Sequence, residues 1–288
     1  MTSPESMPLN CAANRLWHRY LCLAVAAMLV PLLLIGAFAA TAEASPLNRC
    51  LAVAGLPPKV QRVTLGGTQL ASTEVRVNFL GHATFLIESA GGVRIVTDYN
   101  DYVRAPVEPE IATMNRAHAS HYTDNPDPKI GQVLRGWNPD GGPAKWDLEL
   151  KDVHVRNVPT NIRDWNGGAI SYGNSIFIFE VAGLCIGHLG HLHHTLTPEQ
   201  LTAIGQLDVV MVPVDGGYTM DIAGMIDVIK ALRARLVLPM HYFNQHTLMR
   251  FLERIKSDFP VEMAASSDIV LSAKTLPAET TVVVLPGR

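Results

Sequence analysis

The segment Gly187-His188-Leu189-Gly190-His191-Leu192-His193-His194 places four of the chain's eleven histidines within seven residues, directly after an apolar run. Imidazole is the commonest side-chain metal ligand and titrates near neutrality, so this density at the end of a strand points to a metal-centred site. Other histidines follow strand-like segments too: His82, His118, His121 and His241. A single histidine in such a place is as readily a packed or backbone-bonded residue. Four or five at strand ends are another matter, because strand ends converge in space.

The segments that must carry these residues can be read from periodicity. Val75 to Phe79 alternates as a half-buried strand, Thr84 to Ile87 is the next, and Ala90-Gly91-Gly92 turns the chain into Val93 to Val96. Ile111 to Asn115 is a short strand leading to His118 and His121. The stretch Asn125 to Trp146, rich in Pro, Gly, Asp and Trp, is expected to be a long loop forming a wall or lid of the pocket. Strands resume at Val153 to Val158, Ser175 to Glu180 and Leu184 to Ile186. Thr197-Pro198-Glu199-Gln200 caps a helix running to about Gly205. Val209 to Val212 (strand), Ile222 to Leu232 (helix), Leu236 to Leu238 (strand) and Thr247 to Phe259 (amphipathic helix) complete the series. Strands first and alternating βαβ units afterwards imply a layered α/β sandwich.

The chain resembles the metallo-β-lactamase-fold hydrolases, in particular the branch with ascorbate-phosphate lactonase-like and N-acylphosphatidylethanolamine phospholipase-like proteins. The resemblance rests on five ordered motifs: Phe79-Leu80-Gly81-His82-Ala83-Thr84-Phe85-Leu86-Ile87-Glu88, Val96-Thr97-Asp98, Gly187-His188-Leu189-Gly190, Val212-Pro213-Val214-Asp215-Gly216-Gly217-Tyr218-Thr219, and Leu238-Pro239-Met240-His241-Tyr242. It implies a four-layer αββα sandwich with metal bound between the sheet edges. The chain also departs from the family. A gapless comparison puts Arg116, His118, Ser120 and His121 on the ligand positions of the family's His-x-His-x-Asp-His motif, so its first histidine and its aspartate are missing. The family's bridging aspartate is here His191. The ligand histidine expected near Val158-Pro159-Thr160-Asn161 is absent, with Asn161 or Asp164 the nearest substitutes. The final ligand is matched by His241.

What remains is a histidine-rich ligand set, His118, His121, His191 and His241, expected to hold one zinc rather than two, with iron, manganese and nickel left open by ligand type. Neutral nitrogen ligands leave the dication's charge undiluted and favour a metal-bound hydroxide near neutral pH. Asp98 is expected to orient ligand histidines, and His82 to lie beside the metal without binding it. Asp215 can serve as general base or further ligand, or mark a plain turn with Gly216-Gly217. Arg116 is expected to replace lost positive charge or hold an anionic substrate group. His193 and His194 are read as lining the mouth, His154 and His246 as facing solvent.

The reaction implied is metal-dependent hydrolysis of an ester, lactone, amide or phosphodiester bond in a small-molecule substrate. The alternative is a descendant of the fold that binds metal or ligand without turnover. No Gly-x-Ser-x-Gly elbow, phosphate-binding Gly-Lys-Ser/Thr loop or dinucleotide fingerprint competes with the metal reading.

Arg15, His18 and Arg19, an apolar run from Leu21 to Ala40, and Ala42-Glu43-Ala44 have the form of a signal peptide cleaved before Ser45. The expected product is one domain over residues 45–288, periplasmic or secreted, without stable membrane association. The competing reading is an uncleaved anchor over residues 21–40. A net charge of −3 and the lack of any basic run argue against nucleic acid as a partner. Outside the leader only Cys50 and Cys185 remain; they can form a disulfide, or Cys185 can pack as a small apolar thiol.

Overall fold

Alternating apolar residues at the start of the domain produce a meander of β1 (Val75–Gly81), β2 (Thr84–Ser89) and β3 (Arg94–Val96), in which Val77 faces Ile87 and Ile87 faces Ile95. The computed structural model of the chain describes residues 50–51, 69–164 and 166–287, all within the compact unit Ser45–Arg288. The leader and anchor readings fall on residues 1–44, outside the described residues. Next come β4 (Ile111–Met114), β5 (Gln132–Arg135), β6 (Asp147–Leu150), β7 (Val153–Arg163), β8 (Ala169–Val181) and β9 (Leu184–His188). After them β10 (Val209–Pro213) and β11 (Leu236–Met240) alternate with α1 (Pro198–Ile204), α2 (Ile222–Leu232) and α3 (Gln245–Ile255). Three short strands close the chain: β12 (Val261–Met263), β13 (Asp268–Leu271) and β14 (Thr281–Val284).

These strands make two sheets. One has six strands in the order β13-β1-β2-β3-β4-β5, and the other has eight in the order β12-β14-β11-β10-β9-β8-β7-β6. Their facing sides share a core in which Val77, Phe79, Phe85 and Ile95 of the first sheet join Val155, Phe177, Phe179 and Met211 of the second. The opposite side of the second sheet, including Ile176, Val210 and Val237, is covered by Ile204, Met225, Ile229, Phe251 and Ile255 of the three helices. Over the outer side of the first sheet, Leu80, Leu86 and Val96 pack under Tyr99, Val103, Ala105 and Val107, so among the described residues a loop supplies that layer.

Local signals explain the helix boundaries. Thr197 and Gln200 form the reciprocal capping box at the start of α1. The third helix begins two residues before its sequence expectation because the Asn244 side chain accepts from Thr247 N at 2.9 Å, making Asn244 the cap.

The segment from Asn125 to Trp146 is a correction. It contains β5, paired in parallel with β4, and it is pinned to β7 where Asn157 accepts from Trp146 N and donates to Ala144 O. It therefore extends the edge of the first sheet and contributes no residue to the cleft beside the histidines. The cysteine question resolves as a disulfide: Cys50 and Cys185 are bonded across 135 residues, and Cys50 O accepts from Gln206 N just past α1.

Candidate metal centre

Two sets of parallel strands aim their carboxyl ends at one place. From the first sheet, β3 leads into Asp98 and β4 into His118 and His121; from the second, β9, β10 and β11 lead into His191, Asp215 and His241. Loops beyond strand carboxyl ends are where α/β sites assemble. The β1–β2 turn adds His82, whose carbonyl accepts from His241 N at 2.6 Å. His82, Asp98 and His241 all have left-handed backbones, at φ 52°, 42° and 57°, a conformation non-glycine residues adopt only when their surroundings enforce it.

The four histidines expected as ligands do converge. His118 Nε2 lies 3.0 Å from His191 Nε2, and His121 Nε2 lies 3.0 Å from His241 Nε2. A second grouping has His82 in place of His191: one imidazole nitrogen each from His82, His118, His121 and His241 falls within 4.8 Å of the others, so His82, expected beside the metal without binding it, stands within reach of a shared cation. Nitrogens bound tetrahedrally to one zinc at about 2.0–2.1 Å are roughly 3.3 Å apart, so the spacing suits a single small cation.

The outward nitrogens are all held. His121 Nδ1 is 2.5 Å from Asp98 Oδ2, His241 Nδ1 is 3.0 Å from Asp215 Oδ1, His118 Nδ1 is 2.7 Å from Ser120 Oγ, and His191 Nδ1 contacts His193 Nε2. Fixing the second ring nitrogen sets ring orientation and ligand basicity, which is how metal-binding histidines are usually supported.

Comparison with known proteins agrees with this geometry. Residues 76–241 match the family model of the beta-lactamase superfamily domain. The chain belongs to the metallo-β-lactamase superfamily. Among its relatives is a UPF0173 metal-dependent hydrolase of Archaeoglobus fulgidus, 26% identical over 58% of this chain and 83% of the relative. A second, from Pyrococcus abyssi, is 27% identical over 58% and 84%. A Thermotoga maritima structure described as a Zn-dependent hydrolase of the metallo-β-lactamase superfamily aligns with TM-score 0.55 and 27% identity, covering 74% of this chain and all of that one. Igni18, a metallo hydrolase from Ignicoccus hospitalis, shares the fold with TM-score 0.51 at 19% identity, over 75% of this chain and 97% of its own. The protein is thus a metal-dependent hydrolase of this superfamily.

Burial governs the electrostatics of the superfamily site in this chain. It lowers His121 and His191 well below the usual imidazole range and lowers His118 and His188, with neighbouring imidazoles pulling the first three the same way. Neutral rings are the ligating form. Burial, then His241 and His118, bring His82 to about 3. Burial pushes the Asp98 carboxyl up to about 6, opposed by His188 and the Asn115 amide. Burial would raise Asp215 as well, but hydrogen bonds from His241, Thr219 and the Gly217 amide outweigh it and hold the carboxyl below the usual range.

Asp215 is consequently not a free base. Its oxygens accept from the amides of Gly217, Tyr218 and Thr219 and from the Thr219 hydroxyl, besides facing His241. It closes a turn and fixes the His241 ring. Asp98 has the orienting position expected, accepting from Asn115 Nδ2 at 2.9 Å on its other oxygen. Asn161 and Asp164 stay out of the cluster: Asn161 Oδ1 caps Tyr172 N, and Asp164 Oδ1 accepts from Asn166 N and Gly168 N in the β7–β8 hairpin. His188 is structural, with Nε2 2.9 Å from Ala83 O across the sandwich. His246 is exposed as expected, but His154 is buried, 2.5 Å from Asp147 and beside Glu180, because it lies on the face of the second sheet that the helices cover.

Beside the cluster opens a cleft of about 350 Å³ whose lining includes Arg116, His118, Arg163, His191, His193 and Tyr218. Arg116 is exposed at its mouth, with its backbone amide bonded to Gly173 O. Tyr218 and Phe243 are 60% and 53% exposed, yet their rings sit 5.2 Å apart and Phe243 lies 5.5 Å from His241, an apolar rim over the metal centre. Sequence reasoning missed this pair, although each stands two or three residues from Asp215 or His241. It also missed Arg163, delivered by the hairpin tip, and the part played by His193 behind His191.

Gly190 lets the second sheet approach so closely. With φ 59°, it would place a Cβ 2.4 Å from both Asn115 Nδ2 and Asn174 Oδ1. Asn174 Oδ1 accepts from His191 N at 2.8 Å, so the close approach also positions His191.

Proposed function

We propose that the protein is a single-zinc hydrolase of an ester, lactone, amide or phosphodiester bond in a small substrate bearing an anionic group. The observation that carries this reading is the convergence of four Nε2 atoms whose Nδ1 partners are all fixed, directly at an open cleft. A zinc ion held there supplies Lewis acidity and acidifies a water molecule. Asp98 and Asp215 both face Nδ1 atoms on the outer side of the rings, which supports one cation over two.

The chain's own residues account for the rest. The Arg116 guanidinium at the mouth attracts and orients an anionic substituent. Tyr218 and Phe243 cover the apolar part of the substrate and shield the site from bulk water. Asp98 and Asp215 keep His121 and His241 in register throughout.

The protein is further proposed to act outside the cytoplasm after loss of residues 1–44. The signal-peptide pattern supports this, and so does the Cys50–Cys185 disulfide, a bond that persists in oxidising compartments. N-terminal sequencing of protein from its native host tests it; a start at Ser45 is expected, and retention of residues 21–40 in a membrane fraction would favour the anchor. For the activity, elemental analysis is paired with turnover of neutral and carboxylate- or phosphate-bearing esters, with and without chelator. Chelator-sensitive cleavage favouring the anionic series is expected.

A further inference from the structure

Arg163 ends β7, and the local backbone explains how it reaches the cleft. The pairing of β7 with β8 slips between Thr160 and Ile162, where Tyr172 takes a left-handed backbone at φ 56° and its amide donates to Asn161 Oδ1 at 3.0 Å. Such an irregularity increases strand twist and re-aims the side chains beside it. The end of the hairpin meets the loop after β10 through Arg163. Its Nη2 donates to Gly217 O at 2.9 Å and to Thr219 O at 2.5 Å, while Nε and the backbone N–H donate to His193 Nδ1 at 3.1 Å and 3.0 Å.

A guanidinium carries five N–H donors, one on Nε and two on each terminal nitrogen. The clamp uses Nε and Nη2, and no hydrogen bond among the described residues takes the two donors of Nη1. Nor does Arg163 form an ion pair with a carboxylate among those residues. Asp164 lines the same cleft, but its Oδ1 accepts from the amides of Asn166 and Gly168. A cleft of about 350 Å³ is thus lined by a fixed positive charge with two donors left over. Arg116 differs, being anchored among the described residues through its backbone amide alone. An anion that binds Arg116 must first order a long side chain, whereas Arg163 has already lost that freedom.

We infer that Arg163 is the specificity-determining residue of the cleft, its Nη1 donors seating a carboxylate or phosphate oxygen of the substrate against the β7–β8 hairpin. The inference rests on the metal-hydrolase reading and deepens it: Arg116 draws the anion to the mouth, and Arg163 fixes where it sits. Ile162, Ile170 and Tyr218 share the lining, so an apolar part of the same substrate packs beside the charged end. The substrate class is therefore a small, oxyanion-bearing molecule with an apolar portion. Arg163 binds it and takes no part in breaking the bond.

The test uses the intact protein in two states. Chelator-treated protein labelled with nitrogen-15 arginine is titrated with inorganic phosphate and, separately, with acetate; the side-chain resonances of Arg163 are expected to move saturably with at least one of them. Resonances of Arg163 that stay fixed with both anions overturn the inference. Metal-loaded protein is then given matched esters with and without a carboxylate. Arg163→Ala is expected to lower the ratio of kcat/KM for the anionic over the neutral ester by roughly 10–100-fold, mainly through KM, the scale of a hydrogen bond to a charged group. An equal fall for both esters would mean that Arg163 only staples the hairpin to the loop after β10, and overturns the inference. Should Arg163→Ala fail to fold, the titration of the wild type decides. Absence of any chelator-sensitive cleavage by the wild type removes the hydrolase reading, and the titration of chelator-treated protein then judges the anion site by itself.

Discussion

Asp98 Oδ2 lies 2.5 Å from His121 Nδ1, with both side chains wholly buried. The carboxylate is itself held, since Asn115 Nδ2 donates to its other oxygen and Asn115 Oδ1 accepts from Ser175 N on the second sheet. Ring orientation at His121 is thus tied to the packing of one sheet on the other. Asp98→Asn keeps the shape and removes the charge that favours an Nδ1–H tautomer with a ligating Nε2. Metal affinity is expected to drop about 10–100-fold, measured by competition with a chromogenic chelator. Unchanged affinity would reduce Asp98 to a packing residue.

His241→Ala removes a candidate ligand whose ring stacks on His121 at 5.0 Å and whose backbone amide bonds His82. Metal content and turnover are expected to disappear together while the far-ultraviolet circular dichroism stays native. Retention of one equivalent of metal after dialysis would show that His241 is dispensable to the centre.

Much of this was legible in the sequence because strand alternation and the histidines just beyond each strand are local patterns. β1, α2 and the burial of Leu248, Phe251, Leu252 and Ile255 follow from periodicity alone. The short strands were harder. β5 has four residues inside a Pro/Gly-rich segment, and β13 is a sheet member only through its pairing with β1. Thr281–Val284, a fully buried β-branched run, carried a signal that could have found β14. In the site, the bond from Arg163 to His193 was invisible because the two stand thirty positions apart and meet only where the hairpin brings them together. For Asp215 the sequence left base, ligand and plain turn open, because it shows a carboxylate and two glycines and not the turn amides that occupy the carboxylate.

The chelator-treated protein should weaken as the medium is acidified. His82 and His193 have folded values of about 3 and about 4 against 6.5 unfolded, so below 6.5 the unfolded chain binds the extra protons. Their contribution is complete above pH 6.5 and declines as pH falls toward 4, each by up to about 1.4 kcal/mol per pH unit. Asp98 acts oppositely: raised from 3.8 to about 6, it disfavours the fold as pH rises through that interval. The histidines dominate by number, and the thermal midpoint is expected to fall between pH 7 and pH 5. A midpoint that rises over this range would contradict the buried, neutral state of these rings.

Cys50→Ser should cost stability without touching the metal. The disulfide closes 135 residues and anchors Cys50 against the end of α1, whereas His191 is positioned by Asn174 and Gly190. Unfolding free energy in denaturant titrations is expected to fall by about 2–5 kcal/mol. Equal stability of wild type and variant would mean that the crosslink constrains little, and loss of metal would link it to the centre in a way the geometry does not provide.

The number of cations per chain decides between one mechanism and another. Two-metal hydrolysis needs a carboxylate or comparable bridge to hold cations about 3.5–4 Å apart. The sequence resemblance to the family implies that Ser120 and His191 stand at the positions that would supply it, and Arg116 at that of the first histidine of the ligand motif. A guanidinium at that point repels a second dication and offers a fixed positive charge in its place. Elemental analysis is therefore expected to give one metal per chain. Arg116→Ala should leave that ratio unchanged, since the side chain touches none of the four Nε2 contacts, while lowering kcat/KM for anionic substrates by roughly 10–100-fold, or about 1.4–2.7 kcal/mol. Neutral substrates should be affected far less. Binding of a second tight equivalent by Arg116→Ala would show that the arginine excludes the cation as well as recruiting the anion, but two tight equivalents in the wild type would defeat the single-metal account.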